Sequence, residues 1–193
     1  MFRRRPGSFS ASTLLIGGLA LVAPVQVVVA AEYLSLEAAQ KAIFPQADQF
    51  ILMALSLTPE QRAQVEQLAG PQPPHRSLNA WKAMSAGKLL GYVFVDEVIG
   101  KEQFITYAVG IDAGGNLGTL EVLAYRESHG QEIRDTAWRH QFSGRRGVDE
   151  LNFNTDIKNI AGATLSCEHV TEGVRWIEAL WQVTLGRSSQ TQG

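Results

Sequence analysis

The sequence has a single cysteine, Cys167, among its 193 residues. One thiol forms no internal disulfide and builds no cysteine-type zinc or iron–sulfur site, so stability has to come from a packed core. Histidine is scarce as well. His75, His129, His140 and His169 are scattered without the spacing of a metal site, and each reads as a surface residue or a local hydrogen-bond partner. Nor is there an excess of charge of one sign. Lys and Arg number 17 against 19 Asp and Glu, a formal net charge of −2, whereas a nucleic-acid binder would carry a strongly basic face. The local cluster "SGRR" (Ser143–Arg146) is too short to supply one. Three catalytic signatures are also missing: a Gly-x-Ser-x-Gly nucleophile turn, a Walker-type loop, and Gly-x-Gly-x-x-Gly after a strand. No catalytic residue and no metal ligand is assigned.

What the chain does have is apolar content. Hydrophobic residues make up 45% and charged residues 19%, enough for one ordinary domain with a core. Three consecutive arginines in "MFRRRPGSFSAS" precede the apolar run "TLLIGGLALVAPVQVVVAA", and the sequence turns polar at Glu32. Basic, then apolar, then small residues is the order of a secretory signal. Val28–Ala30 or Val29–Ala31 satisfies a small-x-small cleavage rule. The rival reading is a retained anchor, since the run approaches the roughly 20 residues that span a bilayer. Pro24 and Gln26 count against a spanning helix. Both readings place the domain outside the cytoplasm, in the periplasm or an equivalent compartment, and residues 1–31 are assigned to this segment.

The remainder divides by pattern. "SLEAAQKAIF" has Leu36, Ala39 and Ile43 at helical spacing, with Ser35 as N-cap and Pro45 as stop. "LTPEQRAQVEQLAG" is a second helix, capped by Thr58, with Pro59 at its first position and Gly70 at its end. "GPQPPHR" is a proline-rich connector that includes His75, so residues 32–74 read as a small helical segment ahead of a main domain over 75–186. In that domain "LNAWKAMSA", "KLLGYVFVDEVIG", "KEQFITYAVGID" and "LGTLEVLAYRES" read as strands, with a hairpin turn at "DAGGN" (Asp112–Asn116). Short connections make the sheet antiparallel. "RDTAWRHQF" is a short helix capped by Asp135, and a helix of about twenty residues closes the domain. Helices beside an antiparallel sheet define an α+β fold. Residues 187–193 read as a disordered tail.

The long last helix carries both a core and a candidate site. Cys167, Val170, Val174, Ile177 and Trp181 recur on one helical face, so Cys167 reads as a buried, inert thiol. Ahead of that stripe stand Gly162, Ala163 and Thr164. Thr164 or Ser166 as an N-cap is one explanation. The other is a phosphate held at the positive end of the helix by its free backbone N–H groups, where two small residues leave room.

Two stretches resemble one family, the FMN-binding domain of exported subunits of the sodium-pumping NADH:quinone reductase and the Rnf electron-transport complex. The family motif Asp-x-x-(Ser/Thr)-Gly-Ala-Thr is similar to "KNIAGAT", in which Gly162, Ala163 and Thr164 match and a helix follows. Lys158 stands where the motif has Asp, and Ala161 where it has Ser or Thr. The family's Glu-Thr-Pro-Gly loop, followed by Trp and Gln-Phe, is similar to "ESHGQEIRDTAWRHQF". Glu127, Ser128 and Gly130 fit that loop, with His129 in place of proline, and Trp138, Gln141 and Phe142 fit the later pattern. The resemblance covers Gly91 to Leu180.

The resemblance implies FMN joined through its phosphate to the Thr164 hydroxyl by a dedicated flavin transferase. It implies further cofactor contacts from Gly162, Ala163, Leu165, Ser166, Glu127, Ser128 and Gly130, with Lys158 as a charge near the phosphate. It also implies a membrane-bound redox partner, with the protein shuttling electrons rather than turning over a substrate of its own. Two other readings stay open: a small reductase of quinone or ferric iron with non-covalent FMN, and a flavin-free exported interaction module. Nothing in the sequence sets an oligomeric state.

Overall fold

The computed structural model describes residues 31–71 and 75–186. The expected export signal or anchor, the centre of the connector (72–74) and the C-terminal tail (187–193) lie outside the described residues. Among the described residues there are six strands, β1 (Ala31–Glu32), β2 (Gln49–Met53), β3 (His75–Ser85), β4 (Lys88–Ile99), β5 (Phe104–Asp112) and β6 (Leu117–Tyr125). They form one antiparallel sheet in the order β1-β6-β5-β4-β3-β2. Among the described residues four α-helices accompany it: α1 (Leu36–Ile43), α2 (Pro59–Ala69), α3 (Thr136–Arg139) and α4 (Thr164–Thr184). This is the α+β architecture expected from the pattern.

Local chemistry sets most of the boundaries. Ser35 accepts the Ala38 N–H at the start of α1. Thr58 and Gln61 form a reciprocal capping box on α2, with Pro59 just inside it, satisfying donors the helix itself cannot. The β5–β6 turn is built on Asp112, whose Oδ1 accepts the Gly114 and Asn116 N–H groups at 2.8 Å each. Partial burial pushes the Asp112 carboxyl up, but the bonds from Asn116, Gly114 and Gly115 outweigh it and hold the group below its ordinary range.

Both faces of the central strands are covered. Phe94, Val98, Ile105, Tyr107, Val109 and Leu120 point into the larger core with Val170, Val174 and Ile177 of α4 and Val65 of α2. The alternate residues Val93, Val95, Ala108 and Leu123 pack with Ala39 and Ile43 of α1. Two buried faces explain why these strands read as nearly unbroken apolar runs. The stripe from Cys167 to Trp181 lies in the larger core, as its spacing implied.

The structure departs from the sequence reading ahead of the main domain. Residues 32–74 are not only helical. Strand β2 pairs with β3 from Gln49↔Met84 to Met53↔Ala80, and α1 covers one face of the sheet. His75, read as connector, opens β3. Among the described residues no helix is long and apolar enough to cross a membrane.

Candidate functional site

At one end of the sheet β6 finishes at Tyr125, and the chain turns through Arg126–Gly130 toward α3. Tyr125 is 2% exposed. Its hydroxyl donates to the His129 carbonyl at 2.5 Å and lies 3.0 Å from Ser166 Oγ. One buried phenol therefore ties the post-strand loop to the first turn of α4. Burial raises the phenol above its ordinary pKa, opposed by the bond from Ser166, so it stays protonated and remains a donor. Gly130 closes the loop with φ +88°, in the left-handed region. A Cβ there would stand 2.5 Å from the Tyr125 hydroxyl and 3.3 Å from Ala163 Cα, which only glycine avoids.

The start of α4 faces this loop. Its N-cap is Ala163, which offers no side-chain cap. Neither Thr164 nor Ser166 caps the helix, because Ser166 is turned inward to Tyr125. The first intrahelical bond at this end runs from Cys167 N–H to Ala163 O at 2.9 Å. The N–H groups of Thr164, Leu165 and Ser166 therefore have no acceptor within the helix. Gly162, with φ +89°, has nothing within 4 Å of where a side chain would be. The Thr164 hydroxyl has no hydrogen-bond partner among the described residues.

These parts enclose a cleft of about 290 Å³ lined by Lys101, Glu102, Glu127, Ser128, His129, Gly162, Ala163, Thr164, Leu165 and Ser166. A second hollow of about 500 Å³ shares Ser128, His129 and Gly162 with it and adds Gly130, Gln131 and Glu132. Of the nine residues proposed from the sequence, eight converge here: Gly162, Ala163, Thr164, Leu165, Ser166, Glu127, Ser128 and Gly130.

Lys158 does not line the cleft. Its ammonium donates to the carbonyls of Asn154 at 3.0 Å and Thr155 at 2.7 Å. The loop is folded on itself, with Asp156 Oδ2 accepting both the N–H and the side-chain amide of Asn152 at 2.9 Å. Those bonds, the backbone one first, hold the Asp156 carboxyl below its ordinary range.

The Trp138–Phe142 pattern has a structural use. Trp138 Nε1 donates to Lys158 O at 2.8 Å, while Gln141 accepts the Lys158 N–H at 2.7 Å. Trp138 packs edge-on against Phe142, ring centroids 5.2 Å apart. The three residues clamp the segment that leads into Thr164.

Sequence reasoning missed Lys101 and Glu102, which come from the β4–β5 turn. It also missed how Glu127 is used. Glu127 Oε1 accepts the N–H groups of Glu102 at 2.6 Å and Gln103 at 2.8 Å. His169 on α4 places Nδ1 2.6 Å from Ile99 O and 3.1 Å from Gly100 O. Carbonyls only accept, so that nitrogen carries the proton. Cys167 is fully buried and burial raises its thiol, so it has no part in the cleft. No group of three or more His, Cys, Asp or Glu that could hold a metal occurs among the described residues.

An uncapped helix start, small residues and a hydroxyl without a partner meet at the mouth of one cleft, an arrangement chemically able to hold a phosphate. Residues 100–177 match the family model of the FMN-binding domain, and this part of the chain belongs to that family. The match opens at Gly100, beside the Lys101 turn, and takes in Thr164. No curated protein matches the chain. The match supports flavin binding by this part of the chain.

Proposed function

We propose that the chain is an exported electron-transfer flavoprotein whose FMN is esterified through its phosphate to Thr164 Oγ1. The observation that carries this reading is the Thr164 hydroxyl, exposed and unpartnered at the uncapped start of α4, on the wall of the cleft. A phosphate esterified there would meet the unpaired N–H groups of Leu165 and Ser166 and the positive end of the helix. Gly162 and Ala163 leave the backbone approachable. Ser128 and His129 form the opposite wall, with room for the rest of the nucleotide in the neighbouring hollow that Gly130 lines.

FMN supplies one- and two-electron redox chemistry, while the protein positions it and sets its surroundings. Ser128, His129, Thr164 and Leu165 are all exposed. A cofactor among them can be reached from outside, as electron exchange with a membrane-bound protein requires. A flavin transferase would make the bond during maturation, and the N-terminal run would deliver the domain across the membrane, as signal or as anchor.

The test is co-expression with a flavin transferase and export, then acid denaturation. The expected result is flavin fluorescence on the polypeptide, a mass gain equal to FMN less one water, and loss of both in Thr164→Val. Flavin released on denaturation would mean a non-covalent flavoprotein. A mass gain retained in Thr164→Val would remove Thr164 from the reading, and cell fractionation tests export separately.

A further inference from the structure

Resting on that reading of the cleft, we propose that Lys101, at the tip of the β4–β5 turn, is the cation that pairs with the flavin phosphate, and that Glu127 is its positioning residue. Lys101 is the one lysine or arginine lining the cleft among the described residues. Lys158, closer to Thr164 in sequence, spends its ammonium on the Asn154 and Thr155 carbonyls of its own loop. The α4 start supplies backbone donors but no full charge, and a lysine on the same cleft adds the charge that a phosphodiester, with one negative charge, would pair with.

The turn that carries Lys101 is held from two sides. Glu127 Oε1 takes the N–H groups of Glu102 and Gln103, and the His169 imidazole of α4 donates to Ile99 O and Gly100 O. The backbone closes the turn itself through Gly100 N–H to Gln103 O at 2.7 Å. A Cβ on Gly100 would stand 2.5 Å from Glu127 Oε1, so a larger residue there would displace the carboxylate from the turn. The carboxylate is therefore committed to the turn, and Glu127 acts on the cofactor through Lys101. The Lys101 ammonium sits 4.0 Å from Glu102, with both side chains more than 70% exposed. So exposed a pair contributes little and is readily exchanged for a phosphate.

The probe is the phosphorus of the bound flavin, read by NMR on the full chain after export with a flavin transferase. In the wild type the phosphorus resonance shifts with ionic strength as the pair is screened. Lys101→Met should abolish that salt dependence, and Lys101→Arg should keep it. Lys158→Met should leave it intact. Glu127→Ala should remove it as Lys101→Met does, and the double variant should add nothing further. Glu127→Gln keeps an acceptor oxygen for the two N–H groups and should restore it, which separates positioning from loss of folding. An unchanged resonance in Lys101→Met, or loss in Lys158→Met instead, overturns the inference and leaves FMN in the cleft. A chain that carries no flavin at all overturns the cleft reading with it.

Discussion

The Tyr125 hydroxyl is the joint between the loop after β6 and the start of α4, and its deletion has a calculable cost. In Tyr125→Phe two hydrogen bonds vanish, one to His129 O and one with Ser166 Oγ. The His129 carbonyl belongs to an exposed loop and can be rehydrated. Ser166, only 5% exposed, cannot, and its hydroxyl is left in the core. At about 1 kcal/mol for each bond, with an added penalty for the stranded hydroxyl, the loss is about 2–3 kcal/mol. Ser166→Ala alone removes the stranded partner and should cost about 1 kcal/mol, because Tyr125 still donates to His129. In the double variant nothing is stranded, so the total should fall short of the sum by about 1 kcal/mol. Urea denaturation gives all three values, with an unchanged slope showing that the unfolded state is the same. A loss below about 0.5 kcal/mol in Tyr125→Phe, or strict additivity, would refute the role of the phenol as a joint.

Gly130→Ala should destabilise by about 2–4 kcal/mol, combining a left-handed backbone with a Cβ driven into the Tyr125 hydroxyl; a melting point equal to wild type would count against it. Glu178 is fully buried, and burial raises its carboxyl despite bonds from Gln182 and Gly147. A carboxyl raised on folding binds more protons when native, so its contribution is present below the unfolded value of about 4.3 and is lost as pH rises through the folded value. Unfolding measured from pH 4 to 8 should show the stability of Glu178→Gln gaining on wild type as pH increases. Cys167 should resist a thiol reagent in the native protein and react with one equivalent after denaturation; rapid native labelling would place it at the surface.

The four long strands and the Asp112 turn were legible because β-branched and aromatic enrichment and turn chemistry are local. Strand β2 was not. "QFILM" has no alternation, and Ile51 and Leu52 remain 42% and 63% exposed at the sheet edge, so only its pairing with β3 marks it as a strand. Thr164 and its small neighbours could be read from the chain because a helix start and its preceding residues are contiguous. Lys158 misled for the same reason: proximity in sequence says nothing about a loop that folds back on its own lysine. Lys101 lies far upstream, and only the β4–β5 register with the Glu127 bonds brings it to Thr164. The loop of Glu127 was visible, but the consumption of its carboxylate by a neighbouring hairpin depends on tertiary geometry that no local motif encodes.

The shortest strand has the longest reach. Ala31 pairs with Tyr125, so β1 begins beside the residue that joins the cleft's two walls. The described chain therefore starts at the cleft, on the sheet edge opposite β2. Two residues of edge strand thus act as a brace: by pairing with Ala124 and Tyr125 they hold the end of β6 on which the joint between the cleft's walls is built.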